Sequence, residues 1–478
     1  MSVNDIVILV RDFLWDYVLL FGFIGIGLFL TIRLRFPQFS RVFPAFKKLI
    51  SDIIHKVPAE PGGMTPFQSL ATAVAAQVGT GNIVGVATAI TSGGPGAAFW
   101  MLISGFLGMA TIFTEATMAQ VYRERDDNGE LVGGPAYYIK NGLKQEWLAF
   151  LFALFCIIGL GIVGIMVQAN SIITSMNSAF GFNQIAITVV LMLVVGWILI
   201  GGMGRIAKFS ENVVPVMAFA YVASSLLVLI LNIDQVLPTL RLIIVGAFNP
   251  QAIAGGAMGI GVKEAVRYGL ARGLFSNEAG MGSTPHSHAV AVQKHPAEQG
   301  FIAMIGVFIC TFVICVATVM INLLTGSFSE EVMYELSSAE LAEYAQIMTQ
   351  TAFAKQFGAI GEGFLSISLS AFSLTTIVGW FFFAESNVKY IFRKPAIVKG
   401  FKLLALIAIA LGYYAGSGVI WDLADLSMGL MALPNIIALI FLSGQAVKVL
   451  RDYDKQMEMA PEHLTWEYKY ENVDEGVF

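Results

Sequence analysis

Gly79, Thr80, Gly81 and Asn82 stand together inside a stretch from Pro61 to Thr114 that holds no charged residue. Glycines have no Cβ, so the chain there can take unusual dihedrals and bring backbone N–H groups against a ligand. The amides of Thr80, Gly81 and Asn82 would sit at the start of the next half-helix, where unsatisfied donors and the helix dipole favour an anion such as a carboxylate. Close packing of small residues between helices is the bland alternative, but Asn82 adds a polar side chain that packing does not need. The spacing is G-x-G-x-x-x-G with no strand before it, which excludes a dinucleotide fingerprint.

A second cluster of Gly and small polar groups runs Phe275-Ser276-Asn277-Glu278-Ala279-Gly280-Met281-Gly282. Carbonyls of Phe275 and Ser276 released from a helix would accept hydrogen bonds from an ammonium group, with Asn277 holding the unwound segment together. A carboxylate at membrane depth costs about 3 kcal/mol, so Glu278 is expected to pair, with Arg272 as the nearest candidate, or to reach water. Farther on, Ser373, Thr375 and Thr376 precede Trp380, and Thr376 and Trp380 share one helix face at i and i+4. Hydroxyls facing carbonyls make an oxygen-rich site; bonding to their own preceding turn is the plainer reading. Gln168 is isolated among apolar residues from Gly164 to Ala169 and reads as a ligand contact or an interhelical hydrogen bond. His286 and His288, beside Pro285, read as a polar helix terminus rather than a metal site. Asp422 and Asp425 read as a solvated helix start.

Both clusters lie in sequence of membrane grade. Hydrophobic residues make up 56% and charged residues 13% of the chain, and the mean hydropathy is +0.74, far from the balance of a soluble protein. Bilayer hydrocarbon offers unwound backbone no water, so a break is tolerated there only when it is buried in protein or lines a polar cavity. Two such breaks about two hundred residues apart point to a transporter with internal repeats. The net charge of -5 reflects acidic residues in the loop from Glu330 to Glu343 and the tail after Asp452, and no nucleic-acid partner follows. Cys156, Cys310 and Cys315 all fall in apolar spans, with no disulfide or zinc framework. The first apolar segment reads as a retained span rather than a cleaved signal.

The expected architecture is an all-α integral membrane protein of eleven transmembrane helices, centred near residues 24, 78, 107, 162, 193, 222, 275, 312, 370, 408 and 435. One extra N-terminal helix and a basic loop occupy residues 1–60. A 5+5 inverted-repeat core follows, over 61–234 and 235–451, each half opening with a discontinuous helix, and residues 452–478 form a tail. Most of the 28 Lys and Arg residues fall on one set of alternate loops, beginning with Arg33, Arg35, Arg41, Lys47, Lys48 and Lys56. The positive-inside rule makes those loops cytoplasmic, with the N-terminus outside and the C-terminus inside.

The runs GTGNIVGVATAI from Gly79, GMATIFTEATMAQVYRERDDNGELVGGPAYYIKNGL from Gly108 and RGLFSNEAGMGS from Arg272 resemble the alanine or glycine:cation symporters, and the likeness extends over nearly the whole chain. The resemblance implies the leucine-transporter fold and sodium-coupled uptake of alanine or glycine across the plasma membrane, with Na+ as coupling ion and no other cofactor. It also implies that Gln168 contacts substrate. Thr375 and Thr376 would ligate Na+ together with the backbone carbonyls of Ala75 and Val78. Phe275 and Trp380 would bound a pocket small enough for a short side chain, in a protein that functions as a monomer. Ile112 stands where members commonly carry Lys, which leaves Glu115 without that local partner.

The rival readings are a proton-coupled carrier or exchanger of the same fold, a passive channel, and a membrane-embedded enzyme. A Lys replaces the ion in some proton-coupled relatives, and Val213 to Leu231 contains none. The spans also lack H-E-x-x-H and G-x-S-x-G motifs, which argues against an enzyme.

Overall fold

The computed structural model describes residues 3–55, 59, 61–249, 261–328, 336–414, 417–459 and 464–466. It is built of helices. The exception among these residues is a two-residue antiparallel pair, β1 (Glu124–Arg125) and β2 (Leu131–Val132), with an isolated bridge between Met64 and Ala291. In chain order the principal helices are α1 (Ile6–Arg33), α2 (Val42–Ile54), α3 (Pro66–Gln77), α4 (Gly81–Gly93), α5 (Ala97–Val121), α6 (Glu146–Phe180) and α7 (Gln184–Ile200). There follow α8 (Gly202–Leu231), α9 (Val262–Asn277), α10 (Pro285–Ala289), α11 (Pro296–Leu324), α12 (Ser338–Phe392), α13 (Pro395–Tyr414) and α14 (Ser417–Met459).

Eight helices among the described residues are long and apolar enough to cross a membrane, and α3 with α4 makes a ninth as one span bent by 55°. The α7 helix is apolar but only 17 residues long. Charge at Lys263, Glu264, Arg267 and Arg272 takes α9 below the apolarity of an ordinary span. Leu193, Ile200, Val216 and Phe219 on α7 and α8 point out of the bundle, whereas the side chains of α3 and α4 are almost all enclosed. A helix enclosed on all sides is free to carry polar backbone, and that is where the first break falls.

Local chemistry fixes where these elements start and stop. Thr65 and Gln68 cap α3 reciprocally, each side chain taking the other's backbone N–H at 3.1 Å, with Pro66 in the first turn. The second unwound segment lies later than its sequence suggested. Phe275, Ser276 and Asn277 complete the last turn of α9, and the helix ends at Glu278, a non-glycine residue at φ 57°. Gly280 and Gly282 follow at φ 88° and 81°, a region that L side chains rarely enter, so the chain cannot resume helix until Pro285. In α12, Gly358 (φ 63°, ψ −150°) separates a short first part from the long membrane helix.

The extra helix α1 is tied to the far end of the chain. Arg11 meets Asp422 of α14, Trp15 Nε1 donates to the Asp425 carbonyl at 2.8 Å, and Arg267 of α9 reaches Asp16 at 2.5 Å. Asp422 is therefore an ion-pair partner inside α14 and not a solvated helix start. Asp425 is likewise engaged: it takes Arg272 at 3.1 Å, so Arg272 does not pair with Glu278.

Candidate binding site at the two helix breaks

The first break redistributes hydrogen bonds in a way that exposes carbonyls. In a continuous helix the amide of Gly79 would serve Ala75 and that of Asn82 would serve Val78. Instead Gly79 N–H donates to Asn82 Oδ1 at 3.0 Å, and Asn82 N–H donates to the Gly79 carbonyl at 3.2 Å. The released oxygens of Ala75 and Val78 face Thr376 of α12, whose Oγ1 lies 3.1 and 3.3 Å from them and 3.0 Å from the Phe372 carbonyl. One hydroxyl carries one proton, so it can satisfy only one of three converging carbonyls. The remaining lone pairs, in a buried site, make a place for a small hard cation.

Thr375 does not converge with them to the same degree. Its Oγ1 donates to Phe372 O at 2.8 Å and otherwise approaches only Met217 Sδ at 3.8 Å. The two hydroxyls thus share the Phe372 carbonyl, a ligand candidate that carries no sequence signal because any residue supplies it. Ser373 Oγ is buried without a hydrogen-bond partner among the described residues.

Gln168 of α6 closes the other side of the break. Its Oε1 accepts from Thr80 N–H at 3.3 Å, and its Nε2 donates to Thr80 Oγ1 at 3.0 Å. The side-chain oxygen of Gln168 holds the amide proposed above for a carboxylate. Space is tight: a Cβ on Gly79 would lie 2.4 Å from Thr376 Oγ1, and one on Gly81 would lie 3.0 Å from the Phe275 ring. Asn82 Nδ2 reaches across to Ser276 Oγ at 2.8 Å. Gly79, Thr80, Gly81, Asn82, Gln168, Phe275, Ser276 and Thr376 are therefore assembled in one place. Asn277 lies at its edge, taking Ala279 N–H on Oδ1 at 3.0 Å and Gln77 Nε2 on its carbonyl at 2.7 Å.

Carboxylates organise the second break. Glu115 of α5 accepts Gly280 N–H at 2.9 Å, Gly282 N–H at 3.0 Å and Asn435 Nδ2 at 2.6 Å. Asn435 also donates to the Gly280 carbonyl at 2.8 Å and takes the Tyr138 hydroxyl. Glu278 accepts Trp380 Nε1 at 2.7 Å and the Ser283 hydroxyl. Trp380 thus anchors the unwound chain, and its ring abuts Gly164 of α6, where a Cβ would lie 2.6 Å away. The ring near Phe275 is Trp421, 5.9 Å between centroids, with the Arg272 guanidinium 5.8 Å from the Phe275 centroid. Both histidines are engaged: His286 with Ser283 O and Asn387, His288 with Gln299 at 2.7 Å. Among the described residues no group of three or more His, Cys, Asp or Glu is placed to hold a metal ion.

Comparison with known proteins gives this geometry its context. A model of the sodium:alanine symporter family matches residues 1–466. The chain belongs to the sodium:alanine symporter family. It is therefore a multi-pass membrane transporter and not an enzyme. It is 40% identical over 461 residues to an uncharacterized transporter of Haemophilus influenzae, covering 96% of this chain and 98% of the relative. It is 34% identical over 455 residues to the sodium/alanine symporter AgcS of Methanococcus maripaludis, covering 93% and 96%. Its fold is similar to that of MhsT, crystallised with L-phenylalanine, with a TM-score of 0.52 at 15% identity over 80% of this chain and 88% of that one. That likeness shows a leucine-transporter-like fold for this member of the family.

Proposed function

We propose that the protein couples inward movement of Na+ to uptake of alanine or glycine across the plasma membrane by alternating access. The observation that carries this reading is the Thr376 hydroxyl facing three carbonyl oxygens with one proton to give. Ala75, Val78, Phe372 and Thr376 would ligate Na+, with Thr375 as a neighbouring hydroxyl able to turn in. A cation there pulls the end of α3 against α12 and holds the first break in shape. The substrate carboxylate would then displace Gln168 Oε1 from the Thr80 amide, and the ammonium would take carbonyls of Phe275 and Ser276. Phe275 and Trp380 set the length of side chain accepted. The names of the family and of AgcS agree with sodium and alanine.

The proposed frame counts α7 and the α9–α10 pair as spans, giving eleven. Residues 61–234 and 235–451 are inverted repeats that rock against each other, the N-terminus is outside, and the protein works as a monomer. The amino acid is a net-neutral zwitterion, so each cycle moves charge. One cation moving down 100 mV supplies about 2.3 kcal/mol, enough for roughly fifty-fold accumulation. Uptake of radiolabelled alanine and glycine into liposomes, with Na+ or choline outside, tests the coupling. Accumulation is expected only with Na+ and is enhanced by an inside-negative potential. Equal uptake in choline would overturn it.

A further inference from the structure

Two of the three cysteines border the transport site at Asn82 and Ser276 without being among the ion or substrate contacts proposed above. Cys310 and Cys315 lie on α11, within a π-helical turn from Ile309 to Cys315. In an α-helix, residues five apart stand about 140° apart around the axis. The i→i+5 hydrogen bonding of a π turn brings them back toward one face, at the cost of a locally weaker helix. The result is that both sulfurs share the same two partners. Asn82 Nδ2 lies 2.9 Å from Cys310 Sγ and 3.5 Å from Cys315 Sγ, and Ser276 Oγ lies 3.4 and 3.0 Å from them. Asn82 belongs to α4 and Ser276 to α9, so the thiol pair sits where the two broken helices touch. Both thiols are free and enclosed.

We propose that Cys310 and Cys315 form a two-sulfur site for a soft monovalent d10 cation, of which Cu+ is the natural type and Ag+ the redox-inert probe. The ligand set decides the class of ion. Paired thiolates select soft cations over hard ones, and zinc calls for four strong ligands, whereas no third His, Cys, Asp or Glu joins this pair among the described residues. The other oxygens near Cys310 Sγ are neutral carbonyls, of Ser276 at 3.1 Å and Gln77 at 3.8 Å, which are hard donors, so the two sulfurs alone suit a soft cation content with two ligands. In the binding step each thiol gives its proton to water as its sulfur bonds the metal. Two protons leave as one cation enters, and the site keeps one negative charge. The Asn82 amide and the Ser276 hydroxyl, already beside both sulfurs, are the donors that stabilise it. Closure of the pair would fix α4, α9 and α11 to one another.

The test is silver binding by the purified full-length protein in detergent, read by native mass spectrometry and by proton release, with no transport measurement involved. The wild type is expected to retain one Ag+ and release two protons. Cys310→Ser and Cys315→Ser should each lose that retention, while Cys156→Ser keeps it. Should either serine variant fail to fold, Cys315→Met retains a soft sulfur and is expected to hold Ag+ with one proton released. Retention unchanged in Cys310→Ser or Cys315→Ser, loss in Cys156→Ser, or silver taken up by the unfolded chain but not by the native wild type would each overturn the site.

Discussion

The two breaks solve the same problem, unwound backbone in a dry interior, with different chemistry. At the first, every polar partner is neutral: Asn82 and Gln168 hold the amides, and Thr376 spans the carbonyls. At the second, two carboxylates do the holding, Glu115 across the chain from α5 and Glu278 through Trp380 and Ser283. A neutral hydrogen bond contributes about 1 kcal/mol net, whereas a buried donor left unpaired costs about 1–3 kcal/mol, and Glu115 alone satisfies three donors at the second break. The contrast teaches which break adjusts to ligands and which serves as a fixed anchor.

The strongest way to break that contrast is Glu115→Ala. It strands the amides of Gly280 and Gly282 in an enclosed site, at about 1–3 kcal/mol per unpaired group, and takes one of two acceptors from Asn435. The expected outcome is a loss of several kcal/mol in stability, seen as early thermal unfolding in detergent. A variant as stable as wild type would end the anchor reading. Next in size is Thr376→Ala, which removes the hydroxyl facing the three carbonyls of the proposed ion site. The Na+ concentration for half-maximal uptake should rise about ten- to a hundredfold, matching 1.5–3 kcal/mol, with the alanine-to-glycine preference little changed. Unaltered sodium dependence would move the ion elsewhere.

Trp380→Phe removes the Nε1 donor to Glu278 and part of the ring that abuts Gly164, so it probes the anchor together with its packing. A destabilisation of about 1–2 kcal/mol is expected, larger than any change in substrate selection. The smallest effect belongs to the adjustable break. Gln168→Ala leaves Thr80 without its present partner, and substrate half-saturation should shift by about fivefold, near 1 kcal/mol, at constant sodium requirement. If Gln168→Ala instead unfolds the protein more readily than Glu115→Ala, the assignment of anchor and adjustable element is reversed.

The first break was legible because Asn82 adds a polar side chain to paired glycines in charge-free sequence, which close packing alone does not need, and the Ala75–Val78–Thr376 convergence followed from family likeness. The position of the second break was less legible. Its polar run begins at Ser276, yet the first two residues of that run remain helical, because the signal that stops a helix is positive φ at Glu278, Gly280 and Gly282 rather than polarity. The role of Glu115 escaped altogether. Its partners are backbone amides 165 and 167 residues away, and an amide has no sequence identity. The same reasoning hid Phe372. The pairing of Arg272 with Asp425 rather than Glu278 depends on how α9 meets α14, a matter of tertiary packing that neither residue's neighbours announce.

The bonds between α1 and α14 carry a consequence for biosynthesis. Arg11 and Asp422 lie 411 residues apart in sequence, and ribosomes add about 5–20 residues per second. The earliest helix to reach the translocon therefore waits on the order of 20–80 s for its ionic partner to be made. During that interval Arg11 has, among the described residues, only its neighbour Asp12 as an ionic partner. A nascent chain arrested before residue 422 should leave α1 loosely held and open to protease, and one released after it should not.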